Sequence, residues 1–263
     1  MNAEGAAADG AVTAAVLVIG DEILSGRTRD TNSGTIAARL TELGIDLLEI
    51  RVVPDDMDRI VGAVNELRAR HTYLFTTGGI GPTHDDITAD AIAAAFGVTI
   101  DIDERARAIL STHYARPEDL TPARLRMARI PAGADLIDNP VSKAPGFRLG
   151  NVHVMAGVPK IMEAMLEAIT PTLTTGRVIV SETIDCPFGE GWIAEPLGAI
   201  QALHPDVTIG SYPRFSAAGF STRLVVRSRD GDALARAAAA VRAMLAQVAG
   251  ARGVAAPDHT DII

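Results

Sequence analysis

The stretch Thr76-Thr77-Gly78-Gly79-Ile80-Gly81-Pro82-Thr83-His84-Asp85-Asp86-Ile87-Thr88 combines two chemistries that repel each other. Gly78, Gly79 and Gly81 let the backbone turn sharply and present N–H groups, a seat for phosphate or another anion. The Ala-rich helical pattern that follows adds the partial positive charge of a helix N-terminus. Asp85 and Asp86 occupy the same loop, and bare carboxylates repel phosphate unless a metal, a proton or ligand donors intervene. Either aspartate can cap the next helix. The other is left to coordinate a Mg²⁺-like ion bridged to phosphate, or to grip the N–H edge of a pterin or guanine base. His84 beside them does not define a metal geometry. The spacing is neither a dinucleotide-binding G-x-G-x-x-G nor a Walker loop, since no Gly-Lys-Ser/Thr follows.

Placing this loop requires the elements around it. Ala14 to Gly20 is a continuous apolar run, as expected of a strand buried on both faces. A polar loop, 21–30, leads to a helix from about Ser33, capped by Thr31 or Asn32 and ended by Gly44. Strand 45–53, helix 56–70 and strand 72–76 follow, then the glycine loop and a helix at 88–96 closed by Gly97. Such alternation predicts an α/β fold with parallel strands and helices on both faces, where ligands bind at the carboxyl ends of strands. The loops after Gly20, Val53 and Thr76 are therefore expected on one edge, with Glu22, Asp55, Asp56 and the Gly78–Asp86 loop converging.

Further along, 103–115 and 121–128 are expected to be helical, 129–150 loop-rich, 151–155 a buried strand and 160–169 a helix. A shift in composition at 170–176 suggests a boundary between a domain at 12–170 and a smaller one at 177–250. The latter has the order strand 177–184, helix 191–203, strand 207–212, strand 222–227, helix 232–248. Residues 1–11 and 251–263 are expected to be flexible tails.

Other residues fit the same edge. Asp55 and Asp56 follow Pro54 at a strand end, where helix capping competes with a site role. Glu22, Asp30 and Asn32 suit a sugar or base, or simply cap and solvate. Ser142 and Lys143, in Ser-Lys-Ala-Pro-Gly, offer the nearest counter-charge for an anion. Gly157 and Pro159 sit in a turn that permits close backbone approach. His113, His153 and His204 have no ligand-spaced partners, and no Ser/His/Asp or Cys/His nucleophile set is assembled.

A net charge of −9 argues against general nucleic-acid binding. No stretch approaches the roughly 18 apolar residues that span a membrane, and residues 1–10 lack a signal-peptide pattern. The lone Cys186 excludes an intrachain disulfide and suits a packed thiol in a reducing compartment. A cytoplasmic protein is expected.

Several ordered motifs resemble the competence/damage-inducible protein A family, specifically its N-terminal domain of the molybdopterin-binding MoaB/Mog type. They are Gly20-Asp21-Glu22-Ile23-Leu24-Ser25-Gly26, Asp30-Thr31-Asn32, the Gly78–Thr88 loop, Asn139, Ala144-Pro145-Gly146-Phe147 and Gly157-Val158-Pro159. The resemblance spans about residues 16–169, and Gly210-Ser211-Tyr212-Pro213 fits the family's second segment. It implies a three-layer αβα domain with a mostly parallel sheet, followed by a smaller α/β segment. The implied ligand is molybdopterin or an adenine nucleotide, and the superfamily's habits imply a homo-oligomer.

In that superfamily an aspartate after the glycine loop and another after the second strand are functional, matched here by Asp86 and by Asp55 or Asp56. The related domain is linked to metal-dependent hydrolysis of ADP-ribose or similar dinucleotides. That implies catalytic Asp86, Asp55 and Asp56, a Mg²⁺, Mn²⁺ or Co²⁺ ion on Asp86 and Asp85, and a ligand lined by Thr77, Gly78, Gly79, Gly81, Thr83, Glu22, Asn32, Ser142, Lys143, Gly157 and Pro159. The alternative is a non-catalytic module that holds molybdopterin. The likeness extends to a domain of some flavin-adenine-dinucleotide synthetases. Two departures stand out. The family's Pro-Gly-Val-Pro followed by Glu is here Ala156-Gly157-Val158-Pro159-Lys160-Ile161. A nicotinamide-mononucleotide deamidase domain is not expected in a chain of this length.

Overall fold

The computed structural model describes residues 11–216 and 219–252. The chain divides into two compact units, meeting at Gly176 and Arg177.

The first unit is built on a six-stranded sheet, in the order Asp46–Val53 (β2), Thr13–Ile19 (β1), Tyr73–Thr77 (β3), Val152–Met155 (β8), Gly146–Leu149 (β7) and Asp135–Ile137 (β6). Its central strands are β1 (Thr13–Ile19), β2 (Asp46–Val53), β3 (Tyr73–Thr77) and β8 (Val152–Met155). All four are parallel to their neighbours in this set. Every residue of β1 is buried, as an apolar strand covered on both faces must be. Its side chains alternate between two cores. Ala15, Leu17 and Ile19 pack toward Ile60, Val64 and Leu67 of α3 (Met57–Arg70) and Ile92 of α4 (Thr88–Phe96). Ala14, Val16 and Val18 pack toward Ile36 and Leu40 of α2 (Asn32–Glu42) and Met162, Met165 and Leu166 of α7 (Pro159–Ile169). Helices thus cover both faces of a mostly parallel sheet.

The polar loop after β1 contains a single turn, α1 (Asp21–Leu24). Neither Thr31 nor Asn32 caps α2 with its side chain; Asp30 Oδ1 accepts from the Ser33 amide at 3.2 Å instead. Gly97, at φ +66°, closes α4 in the left-handed conformation.

The passage 129–150 is not mainly loop. It contains β5 (Arg129–Pro131), paired antiparallel with β4 (Ile100–Ile102), then β6 (Asp135–Ile137) and β7 (Gly146–Leu149), which extend the main sheet. Strands of three or four residues, separated by Pro and Gly, are too short to display a period. The helices expected at 103–115 and 121–128 are also shorter. They are α5 (Glu104–Ser111), capped by Asp103, and α6 (Pro122–Leu125), which passes into a 3₁₀ turn, Arg126–Ala128.

The second unit has the order β9 (Val180–Cys186), α8 (Ala194–Leu203), β10 (Thr208–Ser216), β11 (Gly219–Ser228) and α9 (Gly231–Arg252). Its sheet, β10-β11-β9, is antiparallel throughout. Ile184, Cys186, Leu224 and Val226 pack with Ile200 of α8 and with Ala237, Val241 and Leu245 of α9. Cys186 is a buried thiol of this core, its pKa pushed up by burial. β9 starts three residues later than the sequence suggests because its partner β11 ends at Ser228, opposite Val180. The tails expected at the ends lie mostly outside the described residues, except that α9 continues through Arg252. Among the described residues no helix is long and apolar enough to cross a membrane.

Candidate functional site

The ends of β1, β2, β3 and β8 place four loops on one edge of the first unit. The glycine loop is fixed there by its own backbone. The Gly78 amide donates to Met155 O at 3.2 Å, and Thr88, fully buried at the head of α4, grips the other side. Its hydroxyl donates to Gly78 O at 2.9 Å and its amide to Gly79 O at 3.0 Å. Gly78 has φ +101°, and a Cβ there would stand 2.1 Å from the Ile19 carbonyl. Gly157 packs on the far side, less tightly, its virtual Cβ 3.3 Å from Gly78 Cα. Only glycine allows the β1, β3 and β8 loops to meet this tightly. The amides of Gly79, Ile80 and Gly81 donate to nothing among the described residues, so this turn retains the donors an anion needs.

The two aspartates of the loop diverge. Asp86 folds back over Gly81, where its Oδ2 accepts from the Thr83 amide at 2.8 Å and the Thr83 hydroxyl at 2.6 Å. Asp85 is exposed, its carboxyl held below the usual range by the Thr83 hydroxyl, its own amide and His84. The His84 ring is almost fully solvated, 3.9 Å from Asp85.

The loop after β2 shows the same division. Asp56 caps α3, its Oδ1 accepting from the Arg59 amide at 3.0 Å. Asp55 turns toward the β1 loop, where Oδ2 accepts from the Asp21 amide at 3.0 Å. Burial pushes the Asp55 carboxyl up. The Asp21 amide opposes that rise, while the charges of Glu22, Asp21 and Asp85 add to it. Asp21 and Glu22 of the β1 loop and Asp85 of the glycine loop are thus close enough to act on Asp55. Asp56 and Asp86 instead serve their own backbones.

The positive charge tied to the loop is Arg126, not Lys143. Arg126 donates to Thr83 O and Asp86 O, both at 3.2 Å. It lies 40 residues from Asp86 on an unremarkable helical turn, so no local pattern pointed to it. Arg129 pairs with Asp90 through both nitrogens, at 2.8 and 2.6 Å. With Gly79, Gly81 and Asp86 these side chains enclose about 20 Å³, room for a single water. Ser142 and Lys143 belong to a turn organised by the buried Asn139, whose Nδ2 donates to the Ser142 hydroxyl at 2.6 Å and Ala144 O at 2.7 Å. Lys143 adopts φ +61°, and its ammonium has no hydrogen bond or ion pair among the described residues.

A second compartment lies on the β1 side of Gly78. Glu22, Asn32, Thr77, Gly157 and Pro159 line it, and Asn32 Nδ2 donates to Gly157 O at 2.7 Å. Pro159 opens α7 at its first turn, where its missing N–H costs nothing.

Among the described residues no three of His, Cys, Asp and Glu are arranged to hold a metal. Asp86, with Thr83 on its Oδ2, is not placed with Asp55 or Asp56 as a ready-made ion site. The coupled carboxylates Asp55 and Asp85 form an edge rather than a cage. Such a donor set fits a Mg²⁺-type ion whose shell is completed by ligand phosphates.

Fold and site define an α/β domain whose glycine loop, with unpaired amides, shares the strand-end edge with several carboxylates. Residues 15–175 match the family model described as a probable molybdopterin binding domain, and residues 178–251 match the middle domain of FAD synthase. A CinA-like protein of Desulfosudis oleivorans is 36% identical over 214 residues, covering 77% of this chain and 52% of that one. A probable FAD synthase of Caenorhabditis elegans is 31% identical over 259 residues, 89% of this chain and 50% of its own. The solved structure of CinA from Thermoplasma acidophilum, a protein of unknown function, superposes with a TM-score of 0.59 at 39% identity, covering 62% of this chain and 99% of that one. The chain belongs to the molybdopterin-binding-domain family, with a MoaB/Mog-type domain of the CinA group. It spans about half the length of the CinA-like and FAD synthase relatives cited.

Proposed function

We propose that the strand-end site binds a pterin or adenine nucleotide through its phosphates and hydrolyses an ADP-ribose-type diphosphate with the help of a divalent cation. The observation that carries this reading is a turn of unpaired amides on the same sheet edge as Asp55, whose Oδ2 accepts from the Asp21 amide at 3.0 Å, and the exposed Asp85. Repelling carboxylates next to an anion seat are costly alone and become favourable when a cation lies between them and a phosphate. Asp55 and Asp85 would hold Mg²⁺, Mn²⁺ or Co²⁺, which would neutralise charge on the phosphate oxygens. The amides of Gly79, Ile80 and Gly81 would hold those oxygens in place. Asp55, oriented by the Asp21 amide, would take the proton of a water attacking phosphorus. The bridging P–O bond then breaks, giving AMP and a ribose phosphate. The likeness to a probable FAD synthase suits this ligand class, since FAD is an adenine dinucleotide joined through a diphosphate.

A second reading is a module that holds molybdopterin without cutting it, favoured by Asp86 being engaged by Thr83. Incubation of the full chain with ADP-ribose and each cation, with AMP as the readout, separates the two. Metal-dependent AMP release, abolished by Asp55→Asn, is expected. No turnover with any of the three ions, together with tight molybdopterin binding, leaves the holding module as the function. The homo-oligomer implied by the resemblance is a separate proposal, checked by sedimentation.

A further inference from the structure

The strand-end site leaves Gly210-Ser211-Tyr212-Pro213 of β10 unused. In the second unit α8 and α9 pack against one face of the sheet, met there by Ile184, Cys186, Leu224 and Val226. Alternate residues point to the other face. On that outer face Tyr212 stands opposite Arg223, Gly210 opposite Val225 and Thr208 opposite Arg227. A Cβ on Gly210 would meet Tyr212 Cε2 at 2.9 Å and Oη at 3.0 Å, so the ring lies along its own strand, over the glycine. Its Oη accepts from Arg227 Nη2 at 3.3 Å. Ser211, on the inner face, donates to Glu190 Oε1 and pins the strand beneath the ring. One face of the ring is thus turned to the sheet and the other to solvent, with the residue 46% exposed.

A flat aromatic side chain edged by a guanidinium suits a base that stacks on the ring and a phosphate that the arginine holds. The charge of this face agrees. It carries Arg214, Arg223 and Arg227 against one carboxylate among the described residues, Asp185, 3.6 Å from Arg223. Arg227 also lines a cavity of about 470 Å³ at the end of β11, with Arg177 and Arg229. A cavity of this size holds a small ligand. Arg229 Nε donates to Arg177 O at 3.0 Å, whereas the Arg177 guanidinium donates to no group among the described residues. Two carboxylates share the cavity, Asp206 and Asp230. Asp230 is occupied with α9, its Oδ1 accepting from the Asp232 and Ala233 amides at 2.8 and 3.0 Å. That leaves Asp206 against three guanidinium groups, a positive surplus that favours an anion.

We infer that this face of the second unit binds a nucleoside monophosphate, its base stacked on Tyr212 and its phosphate held by Arg227 and Arg177. Among the described residues Tyr212 is the one aromatic side chain on the outer face, so it seats one base and not a run of them. A single strand of nucleic acid needs successive rings. Binding here requires nothing of the strand-end site.

The test is NMR on the full chain with ring-labelled tyrosine. The chain has three tyrosines, and Tyr73 and Tyr114 lie in the first unit. Tyr212→Phe identifies the Tyr212 signal by its loss. AMP should shift that signal upfield and saturably, and adenosine, which has no phosphate, should do so with about tenfold weaker affinity or less. Arg177→Ala should weaken AMP about fivefold or more at this signal and leave adenosine unchanged, which also shows the ring and the fold intact. A Tyr212 signal that AMP does not move overturns the inference. Equal affinity for AMP and adenosine does the same, as does an Arg177→Ala chain that binds AMP as wild type does. A single-stranded oligonucleotide that binds about tenfold more tightly than AMP also overturns it, and makes the face a surface for single strands. Because Tyr212 alone is read, AMP held at the strand-end site is not mistaken for AMP held here.

Discussion

The loops after β2 and β3 each carry two adjacent aspartates, and the pairs divide labour alike. Asp56 caps α3 and Asp86 clamps Thr83, each accepting backbone amides of its own segment. Asp55 and Asp85 are presented across the strand ends, where their charges act on each other. One residue of each pair builds the loop and its neighbour is displayed by it. The building residue is compensated where it stands. The displayed residues differ: burial and repulsion raise the Asp55 carboxyl, whereas the exposed Asp85 is held below the usual range by the Thr83 hydroxyl, its own amide and His84. A ligand or cation gains most where that compensation is missing.

The strongest attempt to break this comparison removes the junction that holds the two loops together. Gly78→Ala places a methyl group 2.1 Å from the Ile19 carbonyl at positive φ. A cost of about 3 kcal/mol or more is expected, lowering the melting transition of the first unit by roughly 10 °C. Scanning calorimetry measures it, and an unchanged transition means the loops do not depend on the junction.

Next in size is an acid effect that must be separated from the carboxylates. His153 is buried between Tyr73 and Phe75, with ring centroids at 5.6 and 5.2 Å and no partner on either nitrogen. Burial, helped by Arg148, pushes its pKa down to about 4. The unfolded chain then binds the extra proton between about pH 6.5 and 4, so stability is lost as pH falls through that window, by on the order of 2–3 kcal/mol. His71, also buried and lowered, adds in the same direction. His153→Phe keeps the ring contacts and should flatten the acid limb of denaturant midpoints; an unchanged limb assigns it to other groups.

In this less acid-sensitive background the aspartates can be compared. Asp86→Ala leaves the exposed Thr83 amide and hydroxyl to water and should cost about 1 kcal/mol, with Asp86→Asn recovering much of it through its remaining oxygen. Asp56→Ala removes a helix cap and should cost about 1 kcal/mol. Urea unfolding measures both. Equal losses in Asp86→Asn and Asp86→Ala would assign the Asp86 effect to charge, contrary to a building role.

Much of this arrangement is legible in the sequence. The continuous apolar run at 14–20 required a strand covered on two faces, and strand–helix alternation then required the loops carrying Glu22, Asp55 and Gly78 to share an edge. Which aspartate of a pair would cap could not be read, because Asp55 and Asp56 are chemically identical neighbours and the choice depends on the loop's dihedral angles. Arg126 was hidden for another reason. Its partners are carbonyls of Thr83 and Asp86, and a carbonyl leaves no trace in residue type. In the sequence Asn32 suits a ligand or a cap, and its unpaired oxygen emerges only from the fold, where Gly157 occupies its nitrogen.

The smallest expected change in stability gives the sharpest test. Because the Asp55 carboxyl is raised on folding, the native chain binds its proton more firmly than the unfolded chain does. Stability therefore falls as pH rises from the ordinary carboxylate value through the raised one, and ionised Asp55 is a net cost above that window. Asp55→Asn removes the repulsion from Glu22, Asp21 and Asp85 while its Oδ1 can still accept the Asp21 amide. Stability at pH 7 should be unchanged or higher by about 0.5 kcal/mol, the scale of exposed charge interactions. Mn²⁺ affinity in the presence of pyrophosphate should nevertheless fall about tenfold, a change that the cap variant Asp56→Ala should not share. The cost of Asp55 in the empty site and its value in the filled one are the same interaction with opposite sign. If Asp55→Asn instead destabilises as much as Asp56→Ala and leaves Mn²⁺ binding alone, both aspartates of the β2 loop are builders, and the cation must be sought elsewhere.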